Sequence, residues 1–286
     1  MRRWGFTYAL AMALPTPQAD TTAIVTGASS GIGAEIAREL ARRGHGLTLV
    51  ARREDRLKAL ADELAQAHSV RAEVIAADLT DAGSRGELPA QLAARSLTPD
   101  ILVNNAGFTT MGAVQKADRA AELAMVRTNV EAVVDLCTLF VPGMVQRRRG
   151  AVLNTASTAA FQPLPGQAGY GASKAFVLSY GRALGAELRG TGVSVTTLCP
   201  GPVETGFAET AGMTDEEAGE TLPRFMWIPV GDVARAAVEG LAAGRAVVIP
   251  GTANRIGAGL GHLAPKALLL PLMVKSHPRL KTDPTT

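Results

Sequence analysis

The amino-acid sequence predicts an α/β fold, in which a doubly wound parallel sheet in a single domain carries helices on both faces. Short, continuously apolar runs typical of fully buried strands alternate with helical patterns along most of the 286 residues. An alternation of strand and helix repeated this often requires right-handed crossovers between parallel strands. Neither an internal repeat nor a Gly/Ser-rich linker divides the chain, so residues 21–252 are predicted to form one domain.

The predicted elements follow one another regularly along the chain. The runs predicted as strands are, in order, TAIVTG, GLTLVAR, AEVIAAD, DILVNNAG, AVLNTAS, VSVTTLCPG and AVVIPG. Between the first two, Ile32, Ile36 and Leu40 share one face of a predicted helix. Later helices are predicted from Tyr170 to Leu188 and from Val230 to Ala243.

Composition narrows the class of protein. A hydrophobic fraction of 47% is enough for a sizeable core and argues against disorder. The net charge of +3 is small and scattered, and the basic run Arg147–Arg149 ends a helical pattern, which favours a solvated helix end over a nucleic-acid surface. Cys137 and Cys199 lie far apart without metal-ligand spacing, so we expect a cytoplasmic protein without disulfides or a bound metal.

The two ends of the chain lie outside the strand–helix pattern. Residues 1–20 resemble a weak signal peptide but have no clean A-x-A cleavage site, and we interpret them as a disordered leader or a misassigned start, with Met12 as the true first residue. Residues 253–286 form an apolar extension whose glycines and prolines prevent one long helix. Three fates remain open for this tail: covering the substrate pocket, packing on a second subunit, or making a peripheral membrane contact. Packing is favoured because no apolar segment reaches spanning length.

A glycine-rich stretch, TGASSGIG from Thr26 to Gly33, separates the first predicted strand from the first predicted helix. Glycines allow a tight turn and a close backbone approach to a ligand, and the helix N-terminus offers free N–H groups to a phosphate. The spacing G-x-x-x-G-x-G differs from the commonest dinucleotide fingerprint, G-x-G-x-x-G. The strand–turn–helix context still favours a dinucleotide site over a bland loop.

Further motifs accompany this stretch, in the order NNAG at Asn104 to Gly107, Ser157, YGASK at Tyr170 to Lys174, and PG at Pro200–Gly201. With them the sequence resembles the short-chain dehydrogenase/reductase family over about residues 22–251. The resemblance implies a Rossmann-like sheet of seven parallel strands, a bound nicotinamide cofactor, and interconversion of alcohols and carbonyls. It also implies a homodimer or homotetramer assembled through long helices.

The resemblance implies a catalytic set made up of Asn129, Ser157, Tyr170 and Lys174. Hydride transfer to a carbonyl leaves charge on its oxygen, and Tyr170 is expected to supply a proton there. Because Lys174 lies one helical turn further on, its ammonium, with the positive ring of the cofactor adding to it, is expected to lower the pKa of Tyr170 from its ordinary value of about 10. Ser157 is expected to donate to the substrate oxygen. The family uses an asparagine at the place of Asn129 to kink its helix and hold a water next to the lysine.

Cofactor contacts are implied for the glycine-rich turn, for the ends of the later strands and for the catalytic pair. They comprise Gly27, Ser29, Ser30, Gly31, Ile32, Gly33, Arg52, Arg53, Asp78, Leu79, Asn105, Ala106, Gly107, Tyr170, Lys174, Pro200, Gly201, Val203 and Thr205. NAD-specific enzymes usually end the second strand with an acid, whereas Arg52 and Arg53 stand here and suit the 2′-phosphate of NADP. Many NADP-dependent relatives carry Lys or Arg at the place of Ser30, so the predicted preference for NADP depends on the arginine pair.

The segment from Gly206 to Ile228 is the expected lid over the substrate. Its apolar residues either wall a substrate pocket or pack within the lid itself, and both interpretations stay open; they are Phe207, Met213, Leu222, Phe225, Met226 and Trp227. With Phe108 and the AAFQPLPG loop, a pocket of this kind suits an apolar ketone, aldehyde or alcohol, such as an acyl chain or a sterol-like ring system. We therefore predict an NADP-dependent oxidoreductase without a nucleic-acid partner. Two alternatives stay open: a racemase, dehydratase or other lyase on the same fold, and a non-catalytic NADP-binding regulator. The complete catalytic set argues against both.

Overall fold

The computed structural model describes residues 14–203, 224–276 and 280. Its strands are all parallel and form a seven-stranded sheet in the order β3-β2-β1-β4-β5-β6-β7. In chain order the strands are β1 (Thr21–Thr26), β2 (Leu47–Ala51), β3 (Ala72–Ala76), β4 (Thr98–Asn104), β5 (Gly150–Thr155), β6 (Val193–Leu198) and β7 (Val247–Val248). The predicted Rossmann-like sheet of seven parallel strands is thus confirmed.

Helices connect the strands. They are α1 (Gly31–Arg42), α2 (Glu54–His68), α3 (Ala82–Gly86), α4 (Leu88–Ala94), α5 (Arg119–Val126), α6 (Ala132–Gln146), α7 (Ala168–Glu187), α8 (Val230–Ala242), α9 (Thr252–Leu263) and α10 (Lys266–Ser276). A π-helical segment, Arg127–Glu131, joins α5 to α6, and 3₁₀ turns cover Val114–Lys116, Thr158–Phe161 and Arg224–Met226. The helices predicted from residues 170 and 230 are confirmed, with ends that differ by one or two residues.

The core lies on both faces of the sheet, as the continuously apolar strands predicted. All six residues of β1 are buried, and neighbouring side chains point to opposite faces. Val25 packs among residues of α1, α2 and α8, whereas Ile24 packs on the other face with residues of α4 and α6. Because every central strand is covered twice, the sheet presents its edges and strand ends rather than a face to solvent.

The strand order reverses at β1, which pairs with β2 on one side and with β4 on the other. Val25 aligns with Leu49 of β2 and with Val103 of β4. The chain leaves the carboxyl ends of β1 and β4 in opposite directions, which opens a crevice above them. Open α/β sheets bind their ligands at this switch point, so the glycine-rich turn after β1 occupies the expected place.

The chain before β1 is attached to the domain from residue 14 onward. Leu14 packs against the core on the α1 side, and the guanidinium of Arg149 donates to the Thr16 carbonyl. These contacts join residues 14–20 to the domain, although the sequence assigned them to the leader; residues 1–13 lie outside the described ranges. The other two arginines of the basic run, Arg147 and Arg148, donate to backbone carbonyls of the same domain.

One continuous helical stretch, Arg119–Gln146, is long and apolar enough to cross a membrane by length and composition. Half of its most apolar window is buried inside the domain, as expected for a core helix. In the C-terminal tail, α9 and α10 meet at an angle of 112° around Pro265, so the tail is two helices, as its glycines and prolines predicted.

Candidate active site

The glycine-rich turn bends the chain from β1 directly into α1. Gly27 has φ +65° and Gly31 has φ +56°, values in the left-handed region that glycine tolerates at no steric cost. A Cβ on Gly33 would lie 2.4 Å from the carbonyl oxygen of Gly27 and 2.5 Å from the side-chain nitrogen of Asn105. Gly33 therefore has to be glycine for α1 to pack this closely on the strand ends.

The turn is tied to the end of β4 by Thr26. Its hydroxyl donates to the Val103 carbonyl and accepts from the backbone N–H groups of Asn105 (2.9 Å) and Ala106 (3.0 Å). The side chain of Asn105 in turn donates to the Thr26 carbonyl at 3.0 Å. Two of the predicted cofactor residues, Asn105 and Ala106, thus lie against the glycine-rich turn although nearly eighty positions separate them in sequence.

The N-terminus of α1 is suited to an anion. Ser30 precedes the helix with an extended backbone, but its hydroxyl makes no capping bond, and the first turn contains no acidic residue. The N–H groups at this end are accordingly available to a phosphate and add to the positive end of the helix dipole. The residues beside this terminus, with parts of α1 and α2, line a cleft of about 300 Å³.

Arg53 reaches across from the end of β2 to this turn. Its guanidinium donates to the hydroxyl of Ser29 at 2.9 Å and to that of Ser30 at 2.8 Å, and the side chain is exposed. Arg52, immediately before it, is exposed as well. The Arg53 guanidinium therefore lies beside the serines of the turn, where a phosphate on the adenosine ribose would need charge-assisted donors.

The predicted adenine side follows β3. Asp78 is exposed, and its carboxylate accepts from the backbone N–H and the hydroxyl of Thr80, both at 2.9 Å. Leu79 is buried, and its carbonyl accepts from the guanidinium of Arg85 at 2.7 Å. Arg85 is also buried and pairs with Glu131, the last residue of the π-helical segment, and with Asp135 in the first turn of α6, so it links the loop after β3 to the helix that follows Asn129.

Asn129 lies inside the π-helical segment and is 1% exposed. Its amide nitrogen donates to the Phe108 carbonyl (2.9 Å) and to the hydroxyl of Ser173 (3.1 Å), while its oxygen accepts from the Phe108 N–H (3.1 Å). A single side chain thus joins the loop after β4 to α7. The π-helical bulge agrees with the predicted helix irregularity at this asparagine.

Lys174 is buried beside Asn129. Its ammonium donates to the Thr155 carbonyl at 2.9 Å, at the end of β5. A Cβ on Gly107 would lie 3.2 Å from the Lys174 nitrogen and 2.9 Å from the Asn129 oxygen. The last glycine of NNAG therefore leaves room for both polar groups, which places the loop after β4, the π-helical segment and α7 at one point.

Tyr170 lies one turn before Lys174 on α7, with the lysine nitrogen 5.8 Å from its ring centre. Burial raises the pKa of Tyr170 to about 12, and a hydrogen bond with Ser157 opposes this shift. The predicted lowering of the Tyr170 pKa is therefore wrong for the protein by itself, because desolvation of the phenolate outweighs its favourable contacts. Burial also lowers the pKa of the Lys174 ammonium to about 8.

Ser157 and the Pro200–Gly201 turn complete the site. Ser157 follows β5 and precedes the 3₁₀ turn, and its hydroxyl accepts from the Ala159 N–H at 3.1 Å. The Pro200 carbonyl accepts from the Thr158 N–H at 2.8 Å, which holds the loops after β5 and β6 together. Val203 pairs with Ile228 through one bridge, and Thr205 lies outside the described residues.

Some residues of the site were missed by sequence reasoning. Thr26 and Ser173 lie within the quoted motifs, and Thr155 ends a predicted strand, so position alone was their signal. Asn254 had none. It is 1% exposed, donates to the carbonyls of Met226 (3.0 Å) and Pro250 (3.3 Å), and packs on Gly201, where a Cβ would lie 2.4 Å from its oxygen.

The expected substrate lid is described only at its C-terminal end. Of its apolar residues, Phe207, Met213 and Leu222 lie outside the described residues. Phe225 is 75% exposed, and Met226 and Trp227 are partly buried. Phe108, in the loop after β4, and Phe161, in the 3₁₀ turn after Ser157, are partly buried. Within the described residues, no three His, Cys, Asp or Glu side chains cluster as a metal site would need.

Comparison with known proteins agrees with this geometry. The family model for short chain dehydrogenases matches residues 21–216. An NADP-dependent 3-hydroxy acid dehydrogenase, YdfG of Salmonella typhi, is 37% identical over 203 residues, which are 69% of this chain and 79% of that protein. A short chain dehydrogenase of Pseudocercospora fijiensis is 37% identical over 186 residues, 64% of this chain, and the match spans 60% of the fungal protein.

Two solved structures are similar over most of the chain. A short-chain dehydrogenase from Sphingobium yanoikuyae in complex with NADPH has 32% identity and a TM-score of 0.75, covering 93% of this chain and 100% of its own. A 7β-hydroxysteroid dehydrogenase has 25% identity and a TM-score of 0.78, covering 88% of this chain and 96% of its own. The chain belongs to the short-chain dehydrogenase/reductase family and is an NAD(P)-dependent oxidoreductase acting on CH–OH and carbonyl groups.

Proposed function

We propose that the protein uses NADP to interconvert a carbonyl and an alcohol on an apolar substrate, with Tyr170 as the acid and base. The observation that carries the proposal is the convergence of Tyr170, Ser157, Lys174 and Asn129 at the carboxyl ends of β4 and β5. Active sites of open parallel sheets collect at this edge. A racemase, a lyase or a regulator has no need of the whole set.

Tyr170 is proposed to donate its phenolic proton to the carbonyl oxygen during reduction. The nicotinamide supplies the hydride to the carbonyl carbon when bound, and this hydride and the tyrosine proton together complete the alcohol. With its pKa raised by burial from 10 to about 12, the phenol is protonated at neutral pH, as it would be at its ordinary pKa, and can donate. The hydroxyl of Ser157 is proposed to donate to the same substrate oxygen as charge develops on it.

Lys174 and Asn129 are proposed to support this proton transfer. The Lys174 ammonium is protonated below about pH 8 and stabilises the phenolate that Tyr170 leaves behind. Its bond to the Thr155 carbonyl fixes the amine at the end of β5. Asn129 holds the loop after β4 against α7, so it positions the wall of the site rather than transferring a proton.

The cofactor site fits a dinucleotide with a 2′-phosphate. The left-handed turn at Gly27 and Gly31 and the open N-terminus of α1 make a cradle for the pyrophosphate. Arg52 and Arg53 would hold the 2′-phosphate, and the hydroxyls of Ser29 and Ser30, which accept from Arg53 in the structure, would donate to the same phosphate. Asp78 and Leu79 would border the adenine, with the Pro200–Gly201 turn, Val203 and Thr205 on the nicotinamide side.

An apolar substrate is proposed because apolar side chains stand next to the catalytic set: Leu164 packs on Gly171, beside Tyr170, and Phe108 is held by Asn129. A hydroxy-acid substrate, as in the Salmonella relative, needs a cation to pair with its carboxylate. Among the described residues beside Tyr170, the cation is Lys174, which is already engaged with a backbone carbonyl.

We further propose a cytoplasmic homodimer or homotetramer. The exposed faces of the long helices support it: Leu123, Val126 and Leu139 of the α5–α6 stretch and Phe176 of α7 are each about 40% exposed. Apolar side chains exposed at this level on neighbouring helices are suited to helix packing between subunits.

The test is NADPH oxidation with long-chain and cyclic ketones, and with 3-oxo acids as a comparison set. Tyr170→Phe should lower kcat by about a thousandfold, the usual size of a lost acid–base group, and leave NADPH affinity nearly unchanged. Tyr180→Phe, on the same helix, is the matched control and should keep its activity. Wild-type turnover by Tyr170→Phe would overturn the role of this tyrosine. Product formation without NADPH oxidation would favour the lyase alternative, and NADPH binding without any turnover would favour the regulator.

A further inference from the structure

The first helix of the C-terminal tail has two opposite apolar faces. Asn254, Ala258 and Gly261 are buried, and their spacing of four and three residues places them on one face of α9. This face packs on the 3₁₀ turn after Ser157, where a Cβ on Gly261 would lie 2.4 Å from the Gln162 side chain. The packed face therefore accounts for how the helix attaches to the domain.

The face that points away from the domain is also apolar. Ile256, Leu260 and Leu263 have the same spacing, two residues out of step with the buried set and hence about 200° around the helix. They are 60%, 65% and 81% exposed. A helix on the surface of a soluble domain normally turns polar residues outward, so this stripe is the reverse of the expected pattern. Leu268 of α10 is exposed as well, at 75%.

The tail that carries this stripe is basic in sequence. Residues 252–286 contain five Lys or Arg and one Asp, a formal charge of +4, which exceeds the +3 of the whole chain. The rest of the protein is therefore slightly acidic, and the excess of positive charge lies entirely in the tail. Arg255 and Lys275 are exposed on the helices that carry the stripe.

We propose that the exposed face of α9, with Leu268 of α10, docks the protein on an anionic lipid surface. Large aliphatic side chains flanked by basic residues are the composition of a helix that lies in the membrane interface. A second copy of the chain is a poorer occupant, because it would bring two surfaces of the same positive sign together. The angle of 112° between α9 and α10 keeps the pair from spanning a bilayer as one straight helix and suits a surface position.

Docking through α9 would bring the candidate active site close to the lipid surface. The helix packs on the turn after Ser157 and, through Asn254, on the end of the expected lid at Met226. The docked face and the rim of the candidate active site therefore belong to one helix. An apolar substrate that partitions into the bilayer would then be concentrated close to the site; this consequence, unlike the docking itself, depends on the proposed function.

The experiment is sedimentation of the full chain with vesicles of phosphatidylserine and phosphatidylcholine, against phosphatidylcholine alone. The wild type should bind the anionic vesicles and should release as salt is raised. Ile256→Ser/Leu260→Ser/Leu263→Ser should lower the partition coefficient by about a hundredfold, because three large aliphatic side chains no longer enter the interface. Arg255→Gln should lower it about fivefold on anionic vesicles.

Val114→Ser is the matched control, since Val114 is as exposed as Leu263, at 81%, but lies in a 3₁₀ turn outside the tail. It should bind like the wild type. All the substituted side chains are exposed, so the melting temperatures of the variants and the wild type should agree. If the triple variant does not fold like the wild type, Leu263→Ser alone takes its place. Absence of wild-type binding to anionic vesicles, or equal binding by the triple variant, would overturn the proposal. A halved mass of the triple variant in light scattering, without lipid binding by the wild type, would assign the face to a second copy instead.

Discussion

Lys174 should make the free energy of unfolding depend on pH. Burial lowers its pKa from the ordinary 10.5 to about 8. Between these values the unfolded chain holds a proton that the native protein has lost, so stability rises with pH across this window. The full shift is worth about 3 kcal/mol, and about 2 kcal/mol of it should appear between about pH 7 and 9.5. Lys174→Met removes the titrating group, so between about pH 7 and 9.5 its free energy of unfolding should rise by about 2 kcal/mol less than that of the wild type.

The measurement is urea unfolding followed by circular dichroism at several pH values, for wild type and variant side by side. The difference between the two free energies of unfolding isolates the lysine from all other titrating groups. Tyr170→Phe is the control. Burial raises the pKa of this tyrosine from 10 to about 12, so its own contribution is lost only as pH rises above about 10, outside the window. A difference between wild type and Lys174→Met that stays constant with pH would refute the reasoning that Lys174 is held buried at an energetic cost.

Three other perturbations test separate parts of the structure. Arg52→Ala/Arg53→Ala should weaken NADPH binding about tenfold to a hundredfold in a fluorescence titration, since a charge-assisted bond is worth about 1.5–3 kcal/mol, and NADH binding should not change; equal losses would show that the arginines do not read the 2′-phosphate. Arg85→Leu should lower the free energy of unfolding by about 1–2 kcal/mol, because the Leu79 carbonyl loses a buried donor while the carboxylates of Glu131 and Asp135 are exposed enough to be hydrated, and an unchanged free energy in urea would contradict this. Gly201→Ala should cost about 1–3 kcal/mol by overpacking on Asn254, and should cost less in an Asn254→Ala background, so additive losses would remove that contact as the reason for the glycine.

The fold could be predicted from the sequence because continuously apolar strands, helical periodicity and the right-handed crossover rule together determine it. Strands such as β1 and β5 are buried on both faces, which makes them continuously apolar and easy to recognise. Right-handed crossovers then leave few ways to order them. The C-terminal strand was harder to delimit: AVVIPG was predicted, and two residues, Val247 and Val248, pair in the sheet.

The site residues were predicted from the resemblance to a family, but the shifts in the pKa values of Tyr170 and Lys174 were not. A spacing of four residues shows that Tyr170 and Lys174 share a helix face, and from that alone an ammonium should lower the tyrosine pKa. The sequence contains no measure of how far both groups are removed from water. In the structure both are buried, and desolvation shifts each pKa against its charged form. In the protein without a bound cofactor, burial therefore outweighs the effect of the neighbouring ammonium on the tyrosine pKa.

Asn254 shows why the tail cannot be separated from the site by composition. The sequence places the end of the domain at residue 252, where the strand–helix alternation stops. Two residues later this asparagine is fully buried, donates to the carbonyls of Met226 and Pro250, and packs against Gly201. Its neighbours come from the loop after β6, the end of the expected lid and the chain after β7, so one side chain joins three segments that are distant in sequence. Because this role depends only on where Asn254 lies in space, no spacing in the sequence could reveal it. The first turn of α9 is consequently packed into the domain and cannot be separated from the loops that lead to the candidate site.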